Sequence, residues 1–251
     1  MKFIHSLQSE WLKTKRSAAS WLCLFGGFFI PLIFLIAMLK NHESINSYYP
    51  FENIWKAHFR QLWSNMAIFL LPMGVILSSS LITQMEFKNN TWKQLHTTPQ
   101  SYTSVFFAKF SVIVLMTLKF FLFFNIGIFI TGILPSLICE QRWPVMPVPW
   151  LFVLKINFKI FMVCLPVIAI QYLVSLKFKN FLVAIGVGLL GLIGTLMGIQ
   201  WEYIYVSPYA FCALTVMESA FKYNPQLVAS IYFVVLMFVS YLLYISKKEK
   251  G

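Results

Sequence analysis

Six apolar stretches, each long enough to cross a bilayer, constrain this chain more than any other feature. They lie at 20–39, 62–83, 105–134, 150–176, 181–199 and 227–245. A helix needs about 20 residues to span the hydrocarbon core, within a range of about 17–25. The stretches are continuous rather than alternating, which excludes a membrane β-barrel. Charged residues make up 11% of the 251 positions, less than half of the roughly 25% usual in a soluble domain. The expected fold is an all-α polytopic membrane protein with six transmembrane helices, forming a single membrane domain over 1–251.

An even number of spans puts both termini on one side, and the basic residues choose the side. The N-terminal segment, the 86–104 loop with Lys109, the 176–180 turn and the tail carry 12 Lys/Arg and three Glu. The opposite segments carry seven Lys/Arg and five Glu, with Lys119 left in mid-span. Basic excess marks the cytoplasm, so both termini are expected there. The net charge of +12 is spread along the flanks of spans instead of forming one patch, so no nucleic-acid partner is expected. The stretch 18–39 is too long for a signal-peptide core and lacks an A-x-A site, so it is expected to remain as a span. Before it, 1–17 reads as an interfacial helix. Phe3, Leu7 and Trp11 recur at helical spacing opposite His5, Gln8, Ser9, Lys13 and Arg16, a pattern that lies in a membrane surface. On the far side, Trp143, Trp150, Trp201, Tyr203, Tyr205 and Tyr209 are expected in the outer aromatic belt. The stretch 200–226, with Pro208, Glu218 and Pro225, is too polar to span and reads as an outer re-entrant hairpin.

Enzyme chemistry has little to stand on. The chain has eight acidic residues, all Glu, and no GxxxxGK[ST], so it cannot cradle nucleotide phosphates in the P-loop manner. His5, His42, His58 and His96 fall outside the six stretches and do not cluster. Cys23, Cys139, Cys164 and Cys212 are scattered, three of them in or beside apolar runs, as buried small hydrophobes would be. Gly186-Val-Gly188-Leu-Leu-Gly191 matches GxGxxG, but it lies inside an apolar stretch where a dinucleotide site needs a strand, a helix and a later acid. Together with Gly194 and Gly198 these glycines read as a helix-packing surface, since GxxxG lets backbones approach. Metal binding and resident cofactors are not expected.

Three lysines interrupt the apolar runs. Lys155 and Lys159 are four apart on one face near the outer end and can extend to headgroups. Lys119 lies ten residues beyond Lys109, about 15 Å along a helix, and is a candidate for an interior substrate path. Pro31, Pro72 and Pro166 fall near mid-span, where proline kinks a helix.

Between the second and third stretches lies a polar island, 86–104. Glu86 closes the second span, and Asn89 or Asn90 can cap a short helix through Thr91, Trp92, Lys93, Gln94 and Leu95. Pro99 stops it, and Ser101 or Thr103 can cap the next span. A membrane-buried chain exposes little else to soluble partners.

This island, with 9–17 (Ser-Glu-Trp-Leu-Lys-Thr-Lys-Arg-Ser), 173–180 followed by the glycine-rich stretch, and Tyr205-Val-Ser207-Pro208-Tyr209, resembles the permeases of ABC-2 type transporters, and more narrowly those of lantibiotic immunity and bacitracin resistance. The resemblance covers essentially the whole chain, and the island is its most specific part. It implies an interfacial elbow helix at 1–17 and a coupling loop at 86–104, with Glu86, Asn90, Thr91, Trp92, Lys93, His96 and Pro99 at the ATPase. It implies a permease subunit that is not itself an enzyme, in a bacterial cytoplasmic membrane, paired with a second permease (a copy or a different chain) and a cytoplasmic ATPase carrying ATP and Mg. Exporters of this kind remove membrane-active peptides or other amphiphiles. The alternative is a gradient-driven secondary transporter or channel. That class favours intramembrane acids and internal repeats, and neither is found in the spans.

Overall fold

A computed structural model describes residues 2–40, 53–88, 101–138, 147–178, 180–217 and 224–246. Its helices are α1 (Lys2–Thr14), α2 (Ala18–Lys40), α3 (Ile54–Asn65), a π turn (Met66–Leu70), α4 (Leu71–Lys88), α5 (Tyr102–Ile138), α6 (Trp150–Lys177), α7 (Phe181–Met197), a 3-10 turn (Ile204–Val206), α8 (Ala210–Met217) and α9 (Pro225–Ser246). No strand occurs among the described residues. Among the described residues, five helical stretches are long and apolar enough to cross a membrane: α2, the continuous α3–α4 rod, α5, α6 and α9. The fifth predicted span, 181–199, forms α7, of 17 residues, about 26 Å long. Gly198 follows as its C-cap, the Gly198 N–H donating to the Gly194 carbonyl at 3.1 Å.

The second span departs most from expectation, because its rod begins at Ile54 instead of 62. Lys56, Arg60 and Gln61 break the apolar run, yet all three sit on one exposed face. Trp55, His58, Phe59, Leu62 and Trp63 recur at helical spacing on the other face and are buried. Asn53 caps the start, its Oδ1 accepting from Trp55 N at 3.1 Å. Inside the rod, Pro72 would clash with the carbonyl four residues earlier. The π turn covers that position, and the Leu71 N–H donates to the Met66 carbonyl five residues back. The proline is thus accommodated by an i→i−5 bond in the preceding turn.

α5, of 37 residues and about 55 Å, is the axis of the bundle. α2 runs beside it in the same direction: Cys23 Sγ donates to the Met116 carbonyl, Gly27 faces Phe123, and Pro31 faces Gly127. A β-carbon on Gly27 would stand 2.9 Å from Phe123 Cβ and 3.2 Å from both the Phe120 carbonyl and the Phe124 nitrogen. The two backbones therefore touch without an intervening side chain. Trp63 fills the centre, with ring centroids 4.8 Å from Phe121 and 4.6 Å from Phe124. Apolar side chains on α2, α7 and α9 point away from this core, as Phe25, Ile36, Leu190, Val234 and Phe238 do. Faces of that composition match hydrocarbon, not water.

The face of α1 that packs inward is not the one its apolar residues mark. Ser6, Glu10 and Thr14 are buried, while Phe3, Ile4 and Leu12 are exposed. The polar side chains at i, i+4 and i+8 form the face of α1 that packs toward α5, with Leu7 and Trp11 also packed against the core. Glu10 satisfies its charge with Lys13. Arg16, in the turn to α2, adopts φ 60°, a left-handed conformation costly for any residue with a β-carbon.

Candidate functional site

One end of the bundle collects α1, the end of α4, the start of α5, the turn between α6 and α7, and the end of α9. Ser101 stands at the N-terminus of α5, its Oγ accepting from Ser104 N at 3.3 Å. Asn180 caps α7, its Oδ1 accepting from Leu182 N at 2.9 Å. Thr103 and Tyr241 share a hydrogen bond of 3.0 Å between hydroxyls. Phe106 packs within 5.2 Å of Tyr172 and 5.3 Å of Tyr244, centroid to centroid. Lys109, one turn beyond Phe106, is buried. In sequence the polar island joins α4 to α5. Glu86 lies in the last turn of α4, and its side chain is outside the described set; Asn90, Thr91, Trp92, Lys93, His96 and Pro99 lie outside the described residues altogether.

Two adjacent residues of α6 connect this end to the bundle interior. The Tyr172 hydroxyl donates to the Phe106 carbonyl at 3.0 Å. Gln171, fully buried, donates from Nε2 to Ser80 Oγ of α4 at 3.0 Å and to the Ala184 carbonyl of α7 at 2.8 Å. Its Oε1 accepts from the Tyr209 hydroxyl at 3.3 Å. Ser80 also meets Ser175 at 3.4 Å. A buried amide is costly unless it is hydrogen-bonded, and here both ends of the amide have partners. A lone glutamine in an apolar run was the sequence signal for this cluster, and it passed unremarked because its partners come from distant segments.

The glycines of α7 fall on two faces. A β-carbon at Gly188 would stand 2.6 Å from Gln171 Oε1 and 2.7 Å from Ile76 Cγ2; one at Gly191 would stand 2.7 Å from the Tyr209 ring. At Gly186 and Gly194 it would meet nothing within 4 Å, and at Gly198 the nearest atom is the Gly194 carbonyl at 3.4 Å. Gly188→Leu is therefore expected to lower the stability of the isolated chain by about 1–3 kcal/mol, read as an earlier thermal midpoint in detergent. Gly194→Leu has no such cost within the chain. If another permease subunit packs there, this variant shifts the particle size in light scattering; unchanged size and activity would show that the face meets only lipid.

Tyr209 and His58 both sit deeper than their sequence neighbourhoods implied. Tyr209 belongs to no surface belt: it is buried against Gly191, and Thr195 and Ser207 hold the same segment through a 2.5 Å contact between hydroxyls. Trp150, Trp201 and Tyr203 are exposed, and Trp143 lies outside the described residues. The segment after α7 thus folds back along it, as the 3-10 turn and then α8. His58 is fully buried inside the α3–α4 rod, with Nε2 2.9 Å from Thr131 Oγ1 of α5. Lys119 reaches back to the start of α2, its ammonium donating to Ser20 Oγ at 2.6 Å and lying 5.7 Å from the Phe123 ring centroid.

The family model described as ABC-2 family transporter protein matches residues 6–198, from α1 to the end of α7. No curated protein matches the chain.

Proposed function

The chain belongs to the ABC-2 transporter family, and from that premise we propose that it is the membrane-spanning subunit of an ATP-driven exporter of amphipathic compounds, of the lantibiotic-immunity and bacitracin-resistance type. The observation that carries this reading is the family match across residues 6–198, which includes the whole of the 86–104 loop. In this reading the chain crosses a bacterial cytoplasmic membrane six times, with α7 as the fifth crossing and both termini inside. It pairs with a second permease and with cytoplasmic ATPase subunits that bind ATP and Mg.

The proposed cycle follows from the connections at the α1 end. ATP binding draws the two ATPases together and moves the 86–104 loop through Glu86, Trp92 and their neighbours. The loop is continuous with α4 and α5, so its displacement enters the bundle at Phe106 and reaches α6 through the Tyr172 hydroxyl. Gln171 carries it to α4, α7 and the segment around Tyr209. The spans shift between inward and outward states, and cargo enters from the bilayer along the exposed apolar faces. Lys119, half-buried between α2 and α5, meets an anionic group on that cargo. The chain is 18% aromatic, a composition suited to an amphiphile and not to a sugar or small ion. Affinity should then rise by about 0.8 kcal/mol for each CH2 buried.

The test compares cells with and without the intact transporter for growth in the presence of membrane-active cationic peptides and of small hydrophilic drugs. Protection against the peptides is expected. Protection against only the hydrophilic drugs would rule out the amphiphile while leaving the permease assignment in place.

A further inference from the structure

At the end of the bundle opposite α1, three cations face one concavity. Arg60 of α3 and Lys155 and Lys159 of α6 line a cleft of about 140 Å³, closed on its third side by α8. We propose that this cleft binds a phosphate group, with an anionic lipid headgroup as its expected source.

The first ground is charge. Lys155 and Lys159 are one helical turn apart, a spacing at which like charges destabilise a helix, and Arg60 brings a third positive charge from another helix. Among the described residues no carboxylate lines the cleft, and neither lysine has a hydrogen bond or ion pair. Cations simply extending to a membrane surface have no need to converge from two helices on one hollow.

The second ground is the donor set and the size. Ser64 lines the same cleft. Thr215 also lines it, but its hydroxyl donates to the Phe211 carbonyl at 2.7 Å, so the donors left for a ligand include the two lysines and Ser64. Arginine and lysine with a hydroxyl are the usual donors to phosphate oxygens. The volume holds roughly four or five water-sized groups at about 30 Å³ each, which suits one phosphate.

The third ground points to a lipid. Leu151, Leu154 and Phe158 surround the two lysines along α6 and are 67%, 67% and 65% exposed. Acyl chains laid against these side chains would place their phosphate at the cleft. Lys155 and Lys159 are about 8 and 13 Å along α6 from Trp150, and their long stems can carry the ammonium groups outward toward an interfacial phosphate.

The test uses the full chain in a neutral detergent and reads its thermal midpoint and retained ligands by native mass spectrometry. The probes are short-chain phosphatidic acid, the matching diacylglycerol, and inorganic phosphate. Phosphatidic acid is expected to raise the midpoint and diacylglycerol to leave it unchanged. Lys155→Gln with Lys159→Gln should weaken phosphatidic acid at least tenfold per cation removed, the scale of one charge-assisted hydrogen bond. Lys155→Arg with Lys159→Arg should retain binding, which separates a lost site from a misfolded chain. Phosphatidic acid binding tenfold or more tighter than inorganic phosphate assigns the group to a lipid; equal binding assigns it to a dissolved phosphate, and either supports the site. Equal binding by the wild type and the double glutamine variant overturns it. So does protection seen only in Glu218→Gln, since Glu218, outside the described residues, would then be the partner of these cations. None of these readouts depends on transport, so failure here leaves the exporter reading untouched.

Discussion

Replacing Gly27 by leucine is expected to detach α2 from α5 and cost about 3 kcal/mol or more. Overpacking a core usually costs about 1–3 kcal/mol because neighbouring side chains yield. Here two of the three nearest atoms are backbone, the Phe120 carbonyl and the Phe124 nitrogen, and a helix axis cannot yield locally. Gly26 is the control within the same turn. Its added β-carbon would meet only the Phe120 ring, at 3.2 Å, which can rotate aside, so Gly26→Ala should lie close to wild type. Thermal unfolding in detergent measures both. A Gly27→Leu protein that unfolds with the wild type would mean that the α2–α5 contact is looser than described.

The second large effect is on transport. Trp92→Ala is expected to leave membrane insertion intact and to uncouple export from ATP hydrolysis, with Glu86→Ala acting in the same direction. A large aromatic at an interface typically carries about 2 kcal/mol or more, so docking of the ATPase should weaken roughly thirtyfold. Cysteines placed singly at 92–96 should crosslink to the soluble ATPase from the inner side. Labelling of those cysteines from outside the cell would refute both the orientation and the coupling role.

Much of the architecture was legible because lipid-facing helices are apolar all round, so a simple run of hydrophobic residues marks them. The same criterion failed at α3, where Arg60 and Gln61 interrupt the run although Phe59, Leu62 and Trp63 continue the buried stripe. It also hid His58, which looked like a loop residue and instead pairs with Thr131. At α1 the apolar residues mark the face turned away from protein, and the polar face of Ser6, Glu10 and Thr14 that packs inward carried no hydrophobic signal. The pairing of Gln171 with Ser80, Ala184 and Tyr209 had no spacing to reveal it, since hydrogen bonds between segments leave no periodicity. Lys155 and Lys159 were visible as a pair, but the position of Arg60 beside them depends on how α3 meets α6.

The amide of Gln171 has a consequence for how this molecule breathes. Opening any one of α4, α6 or α7 alone would strip a hydrocarbon-buried amide of at least one partner, so the three should open to solvent together and seldom. In deuterium exchange they should appear as one slow cooperative unit. α2 and α9, which bury only single faces, should exchange earlier through sub-global openings. A permease that works by rocking would then flex between the slow block and these two outer helices, and its turnover would be set by the seams of the slow block, not by anything inside it.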